Sequence, residues 1–207
     1  MNGVSAILLA AGESRRMGKL NKLTLQIHGE ALVRRSARLL LAADLTEVVV
    51  VSGYRADTTK ELLADLPLRL VCNKAFRDGQ MISVHCGLNA LSRPCDAVMV
   101  CLSDMPLLQI QDLRFLIDAF YRTLCRRPRG LILVPSWQGQ RGNPILFEFQ
   151  YAAEILKNAP NLGCKGLLKN KSESITELPM QNNHVLVDMD SFEDYSRFYP
   201  EEAMAYA

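Results

Sequence analysis

No stretch of the sequence approaches the about 20 consecutive apolar residues that a membrane-crossing helix needs. No secretory leader is expected either. The apolar stretch Val4–Leu9 is too short for one, and it meets a glycine and arginines in the wrong order. Both absences point to a cytoplasmic protein without a membrane partner. An excess of one charge sign is also lacking. The 24 Lys and Arg nearly balance the 22 Asp and Glu, leaving a net charge of +2. That excludes a protein that holds nucleic acid by bulk charge. The positive charge is local instead, at Arg15, Arg16, Lys19 and Lys22 and again at Arg126, Arg127 and Arg129. The cysteines Cys72, Cys86, Cys95, Cys101, Cys125 and Cys164 form no CxxC pair, and none lies near a histidine at zinc-finger spacing. They read as reduced core thiols, with Cys164 open to a second reading as a reactive thiol between Gly163 and Lys165. His28, His85 and His184 share no spacing that suggests a metal cluster or a triad. With no repeat, low-complexity segment or linker in 207 residues, a single domain over residues 1–207 is expected.

What the chain does have is a series of short apolar runs separated by amphipathic segments. Val4–Leu9, Glu47–Ser52, Leu68–Cys72, Ala97–Leu102 and Leu131–Pro135 are near-continuous in Val, Ile and Leu, the pattern of strands buried on both faces of a parallel sheet. Ala31–Ala43, Thr58–Leu66, Ile82–Leu91 and Gln109–Leu124 read as helices, with Pro67 and Pro94 as stops. This alternation predicts an α/β fold with a mostly parallel, doubly wound central sheet. Further on, Asn143–Phe147 and His184–Met189 read as strands, Asn158–Lys171 as a surface loop with a short helix, and Ser191–Phe198 as a helix capped by Ser191.

In such sheets the ligand lies beyond the carboxyl ends of the strands. Ala10–Lys22, Gly53, Asn73–Ser83, Ser103–Pro106, Ser136–Asn143 and Asp188–Asp190 should therefore converge. The first of these resembles a P-loop without being one: Gly18-Lys19 is in place one residue late, but the Ser or Thr that would bind magnesium is Leu20. Small residues at Ala10, Ala11 and Gly12 still let backbone N–H groups approach a phosphate or a base edge closely. Arg16 and Lys22 could meet the charge of phosphoryl or nucleotidyl transfer; the alternative is a solvated basic turn. Asp104 ends a buried strand, placed either to hold Mg²⁺ or to form an Asx turn before the next helix. On an extended strand Asp188 and Asp190 would share one face and complete an oxygen-ligand site, or else cap the helix near Phe192. Gly79 and Ser83 open a helix that suits an anion or a base contact, or serve only its start. Arg141 and Asn143 sit in a tight polar loop that could read a second substrate or simply turn the chain.

Taken together, Leu8–Gly18 (LLAAGESRRMG) followed by Asn21-Lys22-Leu23 resembles the LAAGxSxRMG…K signature of nucleotidyltransferases with a Rossmann-like fold. The segments GQMISVHCGL (from Gly79), LSDMPL (from Leu102), GQRGNPILF (from Gly139) and VDMDSFED (from Val187) narrow the resemblance to the molybdenum cofactor cytidylyltransferases. The resemblance implies a three-layer α/β/α fold of the nucleotide-diphospho-sugar transferase type. It implies transfer of CMP from CTP to the phosphate of molybdenum-molybdopterin, with Mg²⁺, and a molybdenum hydroxylase as the partner that receives the product. Carried over by position, the backbone of Leu9, Ala10, Ala11 and Gly12 holds base and ribose. Arg16 and Lys22 face the triphosphate, and Asp104 holds Mg²⁺ with Asp190 as second carboxylate and Asp188 behind it. Gly79 and Ser83 lie on the nucleotide side, with Arg141, Asn143 and Lys165 toward the acceptor. Guanylyl relatives usually have Ala-Gly-Gly where this chain has Ala-Ala-Gly, so the Ala11 methyl would disfavour a purine. Two departures stand out. Asn161–Gly166 lacks the aspartate of the usual Gly-Asp-x-Gly-Ala-Arg, with Lys165 near the arginine's place. Ser103 replaces the usual small residue before the aspartate. Another phosphorylated acceptor, another nucleotide donor and a non-catalytic cofactor carrier are the rival readings. Joint retention of Lys22, Asp104 and Asp190 speaks against the carrier.

Overall fold

The computed structural model describes residues 2–18, 20–126, 130–157 and 171–206. The chain runs β1 (Val4–Ala10), a small hairpin of β2 (Gln26–Ile27) and β3 (Glu30–Ala31), α1 (Leu32–Leu41), β4 (Glu47–Ser52), α2 (Ala56–Leu63), β5 (Arg69–Cys72), α3 (Gln80–Ala90) and β6 (Ala97–Leu102). It continues through α4 (Ile110–Leu124), β7 (Ile132–Trp137), β8 (Gln140–Arg141), β9 (Ile145–Glu148), α5 (Gln150–Lys157), β10 (Ile175–Pro179), α6 (Phe192–Phe198) and α7 (Pro200–Ala203).

Eight strands form one sheet in the order β10-β7-β9-β6-β1-β4-β5, with β8 paired to β7, while β2 and β3 pair only with each other. β1 is parallel to both β4 and β6, β4 to β5, and β7 to β10. Only β9 and the short β8 run against their neighbours. The sheet is therefore mostly parallel, as expected, with one reversed strand inserted at its middle. The chain leaves β1 outward to β4 and β5, then returns to place β6 on the other side of β1. That reversal opens a crevice at the carboxyl ends of β1 and β6.

Burial explains why the strands are apolar throughout. Ala6, Leu8 and Ala10 face a core completed by Val33, Ala37 and Leu40 of α1, Leu63 of α2 and Leu113, Leu116 and Phe120 of α4. Ile7 and Leu9 face the opposite core, filled by Met81, Val84 and Leu88 of α3 and Tyr151, Ala152 and Ile155 of α5. Helices thus cover both faces, giving the three layers. A third apolar cluster joins the two ends of the described chain: Met17, Leu25, Ile27 and Leu32 pack with Met189, Tyr195, Tyr199 and Ala203. Burying a side chain such as Met189 completely contributes about 1.5–3 kcal/mol. The Tyr195 hydroxyl donates to the Gln26 carbonyl at 2.7 Å and fixes α6 against the hairpin.

Two expectations are corrected. His184–Met189 is not a strand: His184–Leu186 forms a 3-10 turn, and the chain then runs outside any ladder toward Asp190. Both edges of β7 are already taken, by β9 and by β10, so no ladder is open beside it. The real tenth strand, Ile175–Pro179, lies earlier and alternates between half-buried and exposed at the sheet edge. Among the cysteines, Cys95 and Cys101 are core residues, whereas Cys72 and Cys125 are exposed. The loop and short helix expected within 158–170, with Cys164 and Lys165, lie outside the described residues.

Candidate active site

The loop leaving β1 is held by its neighbours. The Ala11 carbonyl accepts the Tyr54 N–H at 3.2 Å. A Cβ on Gly53 would lie 2.8 Å from the Ala11 Cβ and 2.9 Å from its carbonyl oxygen. Only glycine lets the loops after β1 and β4 approach this closely. The chain reverses at Ser14 into the turn Arg15–Met17. The Ser14 hydroxyl accepts the Lys22 N–H at 3.3 Å, and the Asn21 side chain accepts the Leu23 N–H at 3.1 Å, capping the turn Lys22–Thr24. The Lys22 backbone is thus anchored while its long side chain enters the crevice, 12% exposed.

The end of β6 is tied to β1 just as closely. Ser103 donates its hydroxyl to the Leu9 carbonyl at 2.7 Å and its N–H to the same oxygen at 3.2 Å. Its own carbonyl accepts the Ser36 hydroxyl at 3.1 Å. Asp104 follows directly. It does not cap α4, because Asp112 takes that role by accepting the Gln109 N–H at 2.9 Å. The Met189 N–H donates to the Asp104 carbonyl at 2.8 Å and carries Asp190 alongside. The Asp190 N–H is fixed by Asp194 at 3.1 Å, in the same carboxylate that pairs with the Ser191 cap of α6.

Carboxylate and cationic groups therefore meet. Lys22 Nζ donates to Asp104 Oδ2 and, at 3.0 Å, to Asp190 Oδ1. Arg16 donates to Asp190 Oδ2 at 2.6 Å. Burial pulls the Lys22 ammonium down, but Asp104 and Asp190 outweigh it and leave its pKa raised. Partial burial, and then the negative charge of Asp190, raise the Asp188 carboxyl above its ordinary value. Asp104 Oδ1 is buried and has no hydrogen-bond partner. An unpartnered hard oxygen beside a second carboxylate fits a divalent cation of the magnesium type, which takes one or two carboxylates and completes its shell with phosphate and water. The expected trio of aspartates is reduced to two, since among the described residues no group of three or more His, Cys, Asp or Glu could hold a metal ion. Without a strand there, Asp188 and Asp190 do not share a face through alternation.

Two adjoining cavities flank this cluster. One, of about 380 Å³, is walled by the Gly12–Arg16 loop, Lys22, Phe76, Arg77 and Asp190. The other, of about 230 Å³, is walled by Leu9, Ala11, Gln80, Ser83, Ser103 and Asp104 among others. Gly12, Lys22 and Phe76 belong to both. Ala10 is buried beneath them as the last residue of β1. The Ser83 hydroxyl is buried and accepts the Asn73 side-chain amide at 3.0 Å. Gly79, with φ +121°, starts α3 at the surface. Among the described residues Gly79, Asp188, Arg141 and Asn143 are not part of either lining. Arg141 instead pairs with Glu177 at 2.7 Å, and Asn143 donates its N–H to the Val185 carbonyl at 2.9 Å. Sequence reasoning passed over Glu13, Phe76, Arg77 and Gln80, although all fall within segments expected at the crevice. Glu13 bridges Arg15 at 2.6 Å and Arg77 at 3.0 Å across the larger cavity, and Arg15 and then Arg77 hold its carboxyl below the usual range.

Comparison with known proteins identifies the family and the fold. Residues 6–175 match the family described as the MobA-like NTP transferase domain. A bifunctional protein GlmU of Limosilactobacillus fermentum is 45% identical over 62 residues, which is 30% of this chain and 14% of that protein. A probable molybdenum cofactor guanylyltransferase of Opitutus terrae is 29% identical over 133 residues, 64% of this chain and 60% of that protein. The chain thus spans less than two thirds of the length of these curated relatives. In overall structure it is similar to a nucleotidyl transferase from Methanothermobacter thermautotroptrophicus, with a TM-score of 0.81, 19% identity, and 99% and 100% of the two chains covered.

Proposed function

Because the chain belongs to the MobA-like NTP transferase family, we propose that it moves CMP from CTP onto the phosphate of molybdenum-molybdopterin and releases pyrophosphate. The observation that carries the reading is the meeting of Lys22, Asp104 and Asp190 at the mouth of the β1/β6 crevice, between the two cavities. On this reading the nucleoside occupies the smaller cavity against Leu9, Ala11 and Ser83, and the triphosphate runs along Gly12–Arg16 into the larger one. The Ala11 methyl cannot retreat, since Gly53 packs behind it. That supports the smaller pyrimidine as base.

Catalysis in this reading is positioning and charge neutralisation. An oxygen of the acceptor phosphate attacks the α-phosphorus in line. The new P–O bond forms as the bond to the β-phosphate bridging oxygen breaks, and pyrophosphate departs with that electron pair. The attacking phosphate is already anionic, so no protein group need remove a proton. Arg16 and Lys22 orient the triphosphate and meet the charge that builds on its oxygens. Asp104 and Asp190 would hold Mg²⁺, which when bound neutralises charge on the phosphates. Arg141, Asn143 and Lys165 remain assigned to the acceptor side through the resemblance of their segments.

A second reading keeps the reaction and replaces CTP by GTP; the similarity to a guanylyltransferase favours it. One experiment tests both. Pyrophosphate release is measured over a panel of nucleotides with Mg²⁺ and purified molybdenum cofactor. Release with CTP is expected. Release with GTP alone replaces the first reading by the second, and no release with any nucleotide overturns both.

A further inference from the structure

Among the described residues, every cation on the wall of the larger cavity is already matched to a carboxylate: Arg15 and Arg77 to Glu13, Arg16 to Asp190, and Lys22 to Asp190 and Asp104. Lys22 differs from the others in position. Its ammonium lies between the two carboxylates that fit a divalent cation, its backbone is pinned by Ser14 and by the Asn21 cap, and its side chain borders both cavities. The stem alone can carry the charge from one place to the other.

A divalent cation on the open Asp104 Oδ1 and on Asp190 would lie beside the ammonium held by Asp104 Oδ2 and Asp190 Oδ1. At about 4 Å their repulsion is several kcal/mol even at the effective dielectric of a protein surface. A metal that enters must expel Nζ, and Nζ then needs another anion. Polyphosphate in the adjoining cavity is that anion. Metal alone would leave Lys22 unpaired. Polyphosphate alone would draw Lys22 away and leave two aspartates facing its negative charge. Only when both arrive is each charge answered.

We propose that Lys22 is a resident stand-in for the metal ion, and that its transfer from Asp104 and Asp190 to the phosphates makes divalent cation and polyphosphate bind cooperatively. The inference rests on the nucleotidyltransferase reading of this site and adds to it an order: neither ligand is held well without the other. Coupling between two ligands is reciprocal, so either can be titrated.

The test uses Mn²⁺, followed by the electron paramagnetic resonance signal of the free ion, on the full chain with and without inorganic pyrophosphate. Binding by the protein is separated from the manganese–pyrophosphate complex formed in buffer alone. Wild-type protein should bind Mn²⁺ weakly alone and at least about five-fold more tightly with pyrophosphate, the lower end of typical coupling. Lys22→Met should bind Mn²⁺ alone more tightly than wild type and lose most of the coupling. Its melting temperature in EDTA should fall and be restored by Mn²⁺ without pyrophosphate. Equal or weaker Mn²⁺ binding by a folded Lys22→Met overturns the proposal. Should that variant not fold, independent binding of the two ligands to wild type overturns it equally. Failure of wild type to bind pyrophosphate under any condition sinks the nucleotidyltransferase reading itself, a distinct result.

Discussion

The Ser103 hydroxyl lies 2.7 Å from the Leu9 carbonyl and joins the end of β6 to the end of β1, one residue before Asp104. The residue type at 103 departs from the usual small residue of the resembling family, and its hydroxyl closes the two strand ends across the crevice. Ser103→Ala should cost about 1 kcal/mol of stability, because the buried acceptor keeps only the weaker 3.2 Å bond from the backbone. Denaturant unfolding measures that loss. Turnover should fall several-fold as Asp104 loosens, with KM for the nucleotide little changed.

Asp104→Asn preserves shape and removes the charge that Lys22 and a divalent cation both seek. Nucleotidyl transfer should drop by about 100-fold or more. Far-UV circular dichroism should be unaltered, because Asp104 caps no helix. Full activity in this variant would remove Asp104 from the metal site.

Ala11→Gly deletes one methyl from the wall of the smaller cavity. One methyl in a pocket is worth about 1–3 kcal/mol of discrimination. The ratio of kcat/KM for GTP to that for CTP should rise about ten-fold or more. An unchanged ratio would show that base choice is made elsewhere.

Glu13→Gln should release Arg15 and Arg77 from their shared carboxylate. Both then become available to polyphosphate, so KM for the nucleotide should fall. The gain should shrink with added salt, since these groups are exposed. A KM that rises instead would mean that Glu13 orders the loop more than it competes with ligand.

Away from the site, Arg34 holds the Asp65 carboxyl down from 3.8 to about 2 through a two-pronged pair that ties α1 to the end of α2. A carboxyl depressed in the folded state stabilises above its unfolded pKa and loses that contribution as pH falls through its folded one. Wild type should therefore exceed Asp65→Asn in melting temperature above about pH 4. The gap should close between there and about pH 2. It should be small, because the pair is exposed.

The parts of the fold legible in the sequence were those whose burial leaves one choice of residue. β1, β4 and β6 sit between two helical layers, must be apolar on both faces, and stand within one residue of the apolar runs. β10 was invisible for the opposite reason: ITELP at a sheet edge carries no apolar run. Val185–Met189 is apolar enough for a strand, yet packing against Asn143 and Asp104 uses its backbone instead. The same logic divides the site. Arg16, Lys22 and Asp104 follow from the rule that ligands gather at strand ends, whereas Asp190 arrives after a turn and not at the end of a strand. Arg77 and Glu13 lie in segments that the rule gathers, yet they were not singled out, because a charged residue on a short turn looks the same whether it lines a cavity or faces water.

The pairing of Arg16 with Asp190 joins residues 174 positions apart, and Met17 and Met189 beside them share one apolar cluster. During synthesis this has a simple effect. A nascent chain that has emerged as far as β10 can already pair all ten strands, but it carries half a charge cluster and an uncovered patch around Met17. The charge cluster closes only once the turn and helices that follow β10 have emerged, so Asp190 is the last of its members to join Arg16 and Lys22.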